Sequence, residues 1–198
     1  LQRLADVLNL RLRERNALLV AAGFAAQFGE ASWKAVELAP VRRAARLMLE
    51  RHSPHPGFVL DAETTVLDAN EAALGLVGAR REQLGALTLI DLVLAPGPVR
   101  QAIVNFDEVA GFLLSRLREA TIYRGPASSV HAAYARAASL AGDIVRSRLP
   151  GATPGVLLPI AFRIGTDVRR WYSTVTTFGG AQDALVDEIA IELFHPMD

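Results

Sequence analysis

Four histidines, His52, His55, His131 and His195, are the residues of this 198-residue chain best suited to acid–base or metal chemistry. None has a second histidine four positions on along a helix, and no carboxylate cluster completes a ligand set. No metal site is therefore expected. Cysteine is absent, which removes a thiol nucleophile, a disulfide framework and a thiolate metal site. Ser173 stands among Thr174, Thr176 and Thr177 in what reads as ordinary strand. No GxSxG elbow and no GxGxxG loop occurs, and Gly151-Ala152-Thr153-Pro154-Gly155 reads as a loop and not a phosphate cradle. These absences disfavour a small hydrolase on an α/β scaffold. The expectation is no catalytic residue, no cofactor and no enzymatic activity.

Binding chemistry is better represented. Phe58, Phe106, Phe112, Phe162, Trp171 and Phe194 fall on different predicted elements. Apolar pockets with a few polar anchors are the usual sites for small molecules. The candidate walls are Phe58, Phe106, Val109, Ala110, Phe112, Leu113, Ile160, Phe162, Trp171, Val175 and Ile191. Candidate anchors for an acidic head group are Arg116, Tyr123, Arg163 and Tyr172, since arginine can hold a carboxylate through two parallel hydrogen bonds. The same wall residues would serve equally as a packed core, and each anchor as a solvent-facing side chain.

The elements that must position these residues centre on Pro56 to Gly78. Gly57–Leu60 is short, apolar and β-leaning. Asp61-Ala62-Glu63-Thr64 is turn-like, Thr65–Asp68 is a second strand, and Asn70 is placed to cap a helix over Glu71–Leu76. A hairpin running into a capped helix resembles the start of a PAS-type sensor domain, with Ala69-Asn70-Glu71-Ala72-Ala73 matching its pattern at the second strand. Any hairpin followed by a capped helix would share part of that pattern.

Upstream, apolar spacing predicts helices over residues 1–9 and Leu12–Ala22, the second with Leu18, Leu19 and Ala22 buried and Gly23 as its terminating glycine. Residues 30–38 form a polar linker carrying Trp33. A helix follows with Pro40 in its first turn and an apolar stripe of Val41, Ala44, Ala45, Met48 and Leu49. That stripe could pack on the sensor or on a second copy. Downstream come short helical pieces over Arg80–Gln83 and Leu87–Leu94, then a turn at 95–98. Asn105 and Glu108 form a capping-box pattern, and a long helix carries Phe106, Ala110, Leu113 and Leu117 on one face. Another helix is predicted over about Ser128–Leu149. Alternation then predicts three strands, Val156–Ile164, Arg170–Phe178 and Val186–Phe194, with a hairpin signal at Gly165-Thr166-Asp167. On the third, Ile189, Ile191 and Leu193 share one face, and Glu188 and Glu192 the other. The expected fold is α+β: a PAS-like five-stranded antiparallel sheet with helices covering one face, preceded by short helices.

The run Leu12-Arg13-Glu14-Arg15-Asn16-Ala17-Leu18-Leu19-Val20-Ala21-Ala22-Gly23-Phe24 resembles the end of an XRE/Cro-type helix-turn-helix domain in MmyB-like regulators. The resemblance continues through Ala39-Pro40-Val41, Val59-Leu60-Asp61, Asp68-Ala69-Asn70, Asn105 to Ala110, Arg116-Leu117-Arg118 and Ile189 to Pro196. Where this chain has Phe106, that family usually has Trp. The resemblance implies three parts: residues 1–30 as the remnant of the helix-turn-helix domain, 31–55 as a linker helix, and 56–198 as a PAS-like ligand-binding domain. In that family the DNA-reading helix lies upstream of Leu1. The implied function is transcription regulation, linked in the family to antibiotic metabolism, with a small hydrophobic, fatty-acid-like ligand. The implied partners are DNA through the full-length protein and a second copy in a homodimer. The alternative is a PAS-like dimerisation module with a filled core.

Composition agrees with a folded chain. Hydrophobic residues make up 51% and mean hydropathy is +0.24, too apolar for disorder. Apolar runs are too short for a membrane-spanning helix, and the amphipathic start lacks the apolar core of a signal peptide, so a cytoplasmic location is expected. Lys34 is the one lysine among 21 basic residues, an arginine bias that suggests a high-GC genome. Residues 1–51 hold nine basic and five acidic residues, a net of +4, against twelve and sixteen, a net of −4, in the remainder. A basic start on an acidic body suits a segment near nucleic acid, although an excess of this size also arises by chance.

Overall fold

The structure, a computed structural model, describes residues 1–122, 128–142 and 157–197. Its elements in chain order are α1 (Gln2–Val7), α2 (Leu12–Ala21), α3 (Ala39–His52), β1 (Gly57–Leu60), β2 (Val66–Ala69), α4 (Glu71–Val77), α5 (Leu89–Leu94), α6 (Pro98–Ala102), α7 (Phe106–Ile122), α8 (Ser129–Ala141), β3 (Ile160–Ile164), β4 (Asp167–Thr177), α9 (Ala184–Glu188) and β5 (Ala190–Pro196). The five strands form one antiparallel sheet in the order β2-β1-β5-β4-β3. This is the expected α+β, PAS-like arrangement.

Strand alternation gives the sheet two different faces. Phe58, Phe162, Trp171 and Phe194 point to one face and join the main core under α4 to α8. Val59, Ile189 and Ile191 point to the other and pack on Ala45 and Leu49 of α3, with Val41 and Met48 alongside. The apolar stripe of α3 is therefore covered by its own sheet and is not a free self-associating surface; Ala44 lies outside it and is exposed. Arg46 of α3 adds an ion pair to the buried Asp68 of β2 at 3.0 Å. Gly57 suits this close approach, because a Cβ there would stand 2.8 Å from Leu49 Cδ2 and 3.0 Å from Leu193 Cδ2.

Asn70 holds the central junction. Its Oδ1 caps α4 by accepting from the Ala73 N–H at 3.0 Å and also accepts from the Gly57 N–H at 3.1 Å. Its Nδ2 donates to the carbonyls of Leu49 at 3.1 Å and His55 at 2.8 Å. The expected cap is present, and it also ties the end of α3 to β1. Asn105 plays a comparable part at α7. Its amide bonds Glu108 Oε2, accepts from the Ala161 N–H and donates to the Pro159 carbonyl, clamping the start of α7 to β3.

Three expectations change. The third C-terminal strand begins at Ala190 and not Val186. Asp183 accepts hydrogen bonds from the Leu185 and Val186 N–H groups, and this cap starts the short helix α9. The turn expected over residues 95–98 leads straight into a short helix, α6 (Pro98–Ala102), where no element was expected. In α2 the buried residue is Asn16, while Ala22 is exposed. The Asn16 side chain is held by the backbone of Gln27 and Phe28, so a polar clamp replaces an apolar contact. The predicted helix to Leu149 is seen as α8; its expected continuation lies outside the described residues.

The N-terminal segment docks on α9. Arg13 Nε bonds both carboxylate oxygens of Glu188, at 3.2 and 3.1 Å, and Leu12 N–H donates to Asp187 Oδ2 at 3.0 Å. Asp183 Oδ2 also accepts from the Ala31 N–H, and the Gly29 carbonyl accepts from the Ala184 N–H.

Candidate ligand-binding site

A cavity of about 70 Å³ lies between the helical layer and the sheet. Phe58, Ile160, Phe162, Ser173, Glu192 and Phe194 form its floor, all from strands. Val109, Phe112, Leu113 and Arg116 of α7 close it from above, with Leu89, Leu92 and Val93 of α5 and Val99 of α6. The floor follows from strand register: Phe58 pairs with Glu192 and Ser173 with Phe194, so all four share one face. Phe58 and Phe194 meet edge to face at 5.9 Å, as do Phe162 and Trp171. Both geometries are favoured for aromatic pairs.

The cavity shares Leu89, Leu113, Arg116 and Glu192 with a wider groove of about 570 Å³. Val175, Asp61 and Glu188 line this groove from the sheet and the segments beside it, and Leu8, Asn9, Arg11 and Glu14 from the N-terminal segment. Burial raises the Asp61 carboxyl above its usual range, opposed by hydrogen bonds from the Thr65 and Glu63 N–H groups. Arg116 is exposed at the mouth, its guanidinium 5.9 Å from the Phe112 ring centre. Glu192 is 5% exposed, and among the described residues no hydrogen bond or ion pair holds its carboxylate.

Of the sequence candidates, Phe58, Val109, Phe112, Leu113, Ile160, Phe162 and Arg116 line the cavity together. Val175 lines the groove. Ala110 and Trp171 are buried in the surrounding core, and Phe106 packs against that core beneath the Arg100 guanidinium at 4.3 Å. Ile191 lies on the opposite face against α3. Tyr172 also faces that way, stacked on His195 at 5.2 Å, and Arg163 is exposed on β3. Tyr123 lies outside the described residues. Sequence reasoning missed Glu192 as a wall residue, although its i, i+2 relation to Phe194 places both on one strand face. Leu92, Val93 and Val99 were missed because no element was expected over residues 99–102 and α5 had no distinguishing polarity.

The sheet order, the helical cover and the cavity between them define a PAS-like ligand-binding domain. The chain belongs to the MmyB-like transcription regulators: the profile of the MmyB-like transcription regulator ligand binding domain matches residues 41–198. The match takes in most of α3 as well as the sheet and its helices. Among solved structures, the chain is similar to the PAS domain of BvgS from Bordetella pertussis, at 13% identity and a TM-score of 0.40, covering 81% of this chain and 88% of that one. No curated protein matches. Among the described residues no helix is long and apolar enough to cross a membrane.

Proposed function

We propose that this chain is the sensing part of an XRE-type helix-turn-helix regulator, in which residues 56–198 bind a small fatty-acid-like molecule. Residues 1–30 are the end of the DNA-binding domain and 31–55 the linker helix. The observation that carries the reading is the apolar cavity between helices and sheet, opening into a groove whose far wall is the N-terminal segment. Ligand binding then shifts the population of docked and undocked N-terminal segments, and with it the placement of the DNA-binding domains. The regulator acts as a homodimer on paired half-sites, through a surface other than the covered α3 stripe.

A chain-length series of fatty acids tests this by thermal shift. Each methylene entering the apolar cavity contributes about 0.8 kcal/mol, or roughly fourfold in affinity, until the space is filled. Val109→Phe, which narrows the cavity, should abolish the response at a folding cost of about 1–3 kcal/mol. The second reading, a dimerisation module with a filled core, is favoured by the small cavity volume of 70 Å³. A flat response both to this series and to the straight-chain alcohols of the same lengths selects that reading and overturns the first.

A further inference from the structure

Glu192 sits on β5, and its neighbours on the same sheet face are apolar. Phe58 lies directly across on β1 and Val175 directly across on β4. Ala190 and Phe194 flank it two residues away along its own strand. None of these side chains can donate a hydrogen bond. Ser173, diagonal to it, makes no side-chain hydrogen bond to it, and Arg116 across the opening forms no ion pair with it. Glu192 as a residue is 95% buried, and its carboxylate, unpartnered among the described residues, is in contact with the cavity and groove, where a donor that enters meets no competing protein partner. It lines both the apolar cavity and the groove, where the polar end of an amphiphile would emerge.

We propose that Glu192 selects the ligand's head group, so that the site takes an apolar chain ending in a hydrogen-bond donor, a hydroxyl or a protonated amine, in preference to a carboxylate. The proposal rests on the reading of the cavity as an acyl-chain site and narrows what that chain carries. A hydroxyl or ammonium satisfies the orphan carboxylate on entry. A ligand carboxylate placed there sets two like charges together and adds no donor. Arg116 is the competing anchor. If it governs the head group, the order of preference reverses.

The test compares octylamine, octanol and octanoate on the 198-residue chain, by thermal shift and calorimetric titration, with Glu192→Gln in parallel. Octylamine and octanol should bind the unmodified chain at least about tenfold more tightly than octanoate, the scale of a hydrogen bond to a charged group. The glutamine amide keeps the shape and offers a donor of its own. Glu192→Gln should weaken octylamine by about tenfold and strengthen octanoate. Equal binding of all three, or tightest binding of octanoate, overturns the head-group assignment while leaving the acyl-chain site standing. If no octyl compound binds, the acyl-chain reading falls and this proposal with it. Should Glu192→Gln fail to fold, the order of the three heads on the unmodified chain decides alone.

Discussion

Asn70→Ala removes four hydrogen bonds at once, and the loss can be worked through group by group. Two acceptor bonds disappear, from Ala73 N–H in the first turn of α4 and from the buried Gly57 N–H at the start of β1. Two donor bonds disappear, to Leu49 O in the last turn of α3 and to His55 O. Loss of the helix cap costs about 1 kcal/mol. Each of the other three bonds contributes about 1 kcal/mol, with more where a buried backbone group is left unpaired. The sum is about 4 kcal/mol, which for a chain of this size lowers Tm by roughly 8–16 °C. Urea unfolding at constant m-value gives the free energy, and calorimetry gives Tm. Asn70→Ser separates the parts: a hydroxyl can keep the α4 cap but cannot reach the other three partners, so it should fall between wild type and Ala. If Ala and Ser both cost about 1 kcal/mol or less, Asn70 is a helix cap alone and the three-way junction argument is wrong.

Two further outcomes follow from the charged groups. Arg13→Ala should loosen the N-terminal segment by about 1–2 kcal/mol, well below the figure for a fully buried pair because the Arg13 side chain is 38% exposed. Hydrogen exchange should speed up across α2 and at Ala31 with the strand amides unchanged; unchanged protection throughout would refute the part given to Arg13 in docking this segment on α9. Burial, and then the nearby charges of His52 and His55, hold the His195 imidazole below its ordinary value of 6.5. The unfolded chain takes that proton near pH 6.5 while the folded chain resists it, so stability is retained above this value and lost as pH falls through it. His195→Gln should remove that loss, and parallel stability curves for the two proteins below pH 6.5 would contradict it.

Where one face of an element meets water, its pattern was readable in the sequence. The hairpin Gly165-Thr166 sits where turn chemistry put it, and β4 follows it as a solvated strand with Trp171 as its buried residue. The pattern failed where both faces are buried. β5 is a central strand, with Ile191 facing α3 and Phe194 facing the helical layer, so hydrophobicity alone could not say which face held the cavity. Ile191 was placed among the cavity walls, and Glu192 was not, for that reason. At Val186 a local side-chain cap from Asp183 overrode a β-rich composition. The stripe of α3 was visible, but its occupant was not, because a helix face complements a sheet and a second helix equally well.

The strand order has a consequence for how the chain is made. β5 is the last strand in sequence and the third of five across the sheet, lying between β1 and β4. Its Leu193 pairs with Gly57, a separation of 136 residues. A nascent chain therefore presents β1–β2 and β3–β4 before the strand that joins them. Two half-sheets then wait with open edges, and contacts this distant in sequence close slowly. During that interval the edge of β1 that will pair with β5, Gly57 to Leu60, is available to any other extended chain. Sensitivity to loss of even a few residues from β5 is built into this topology.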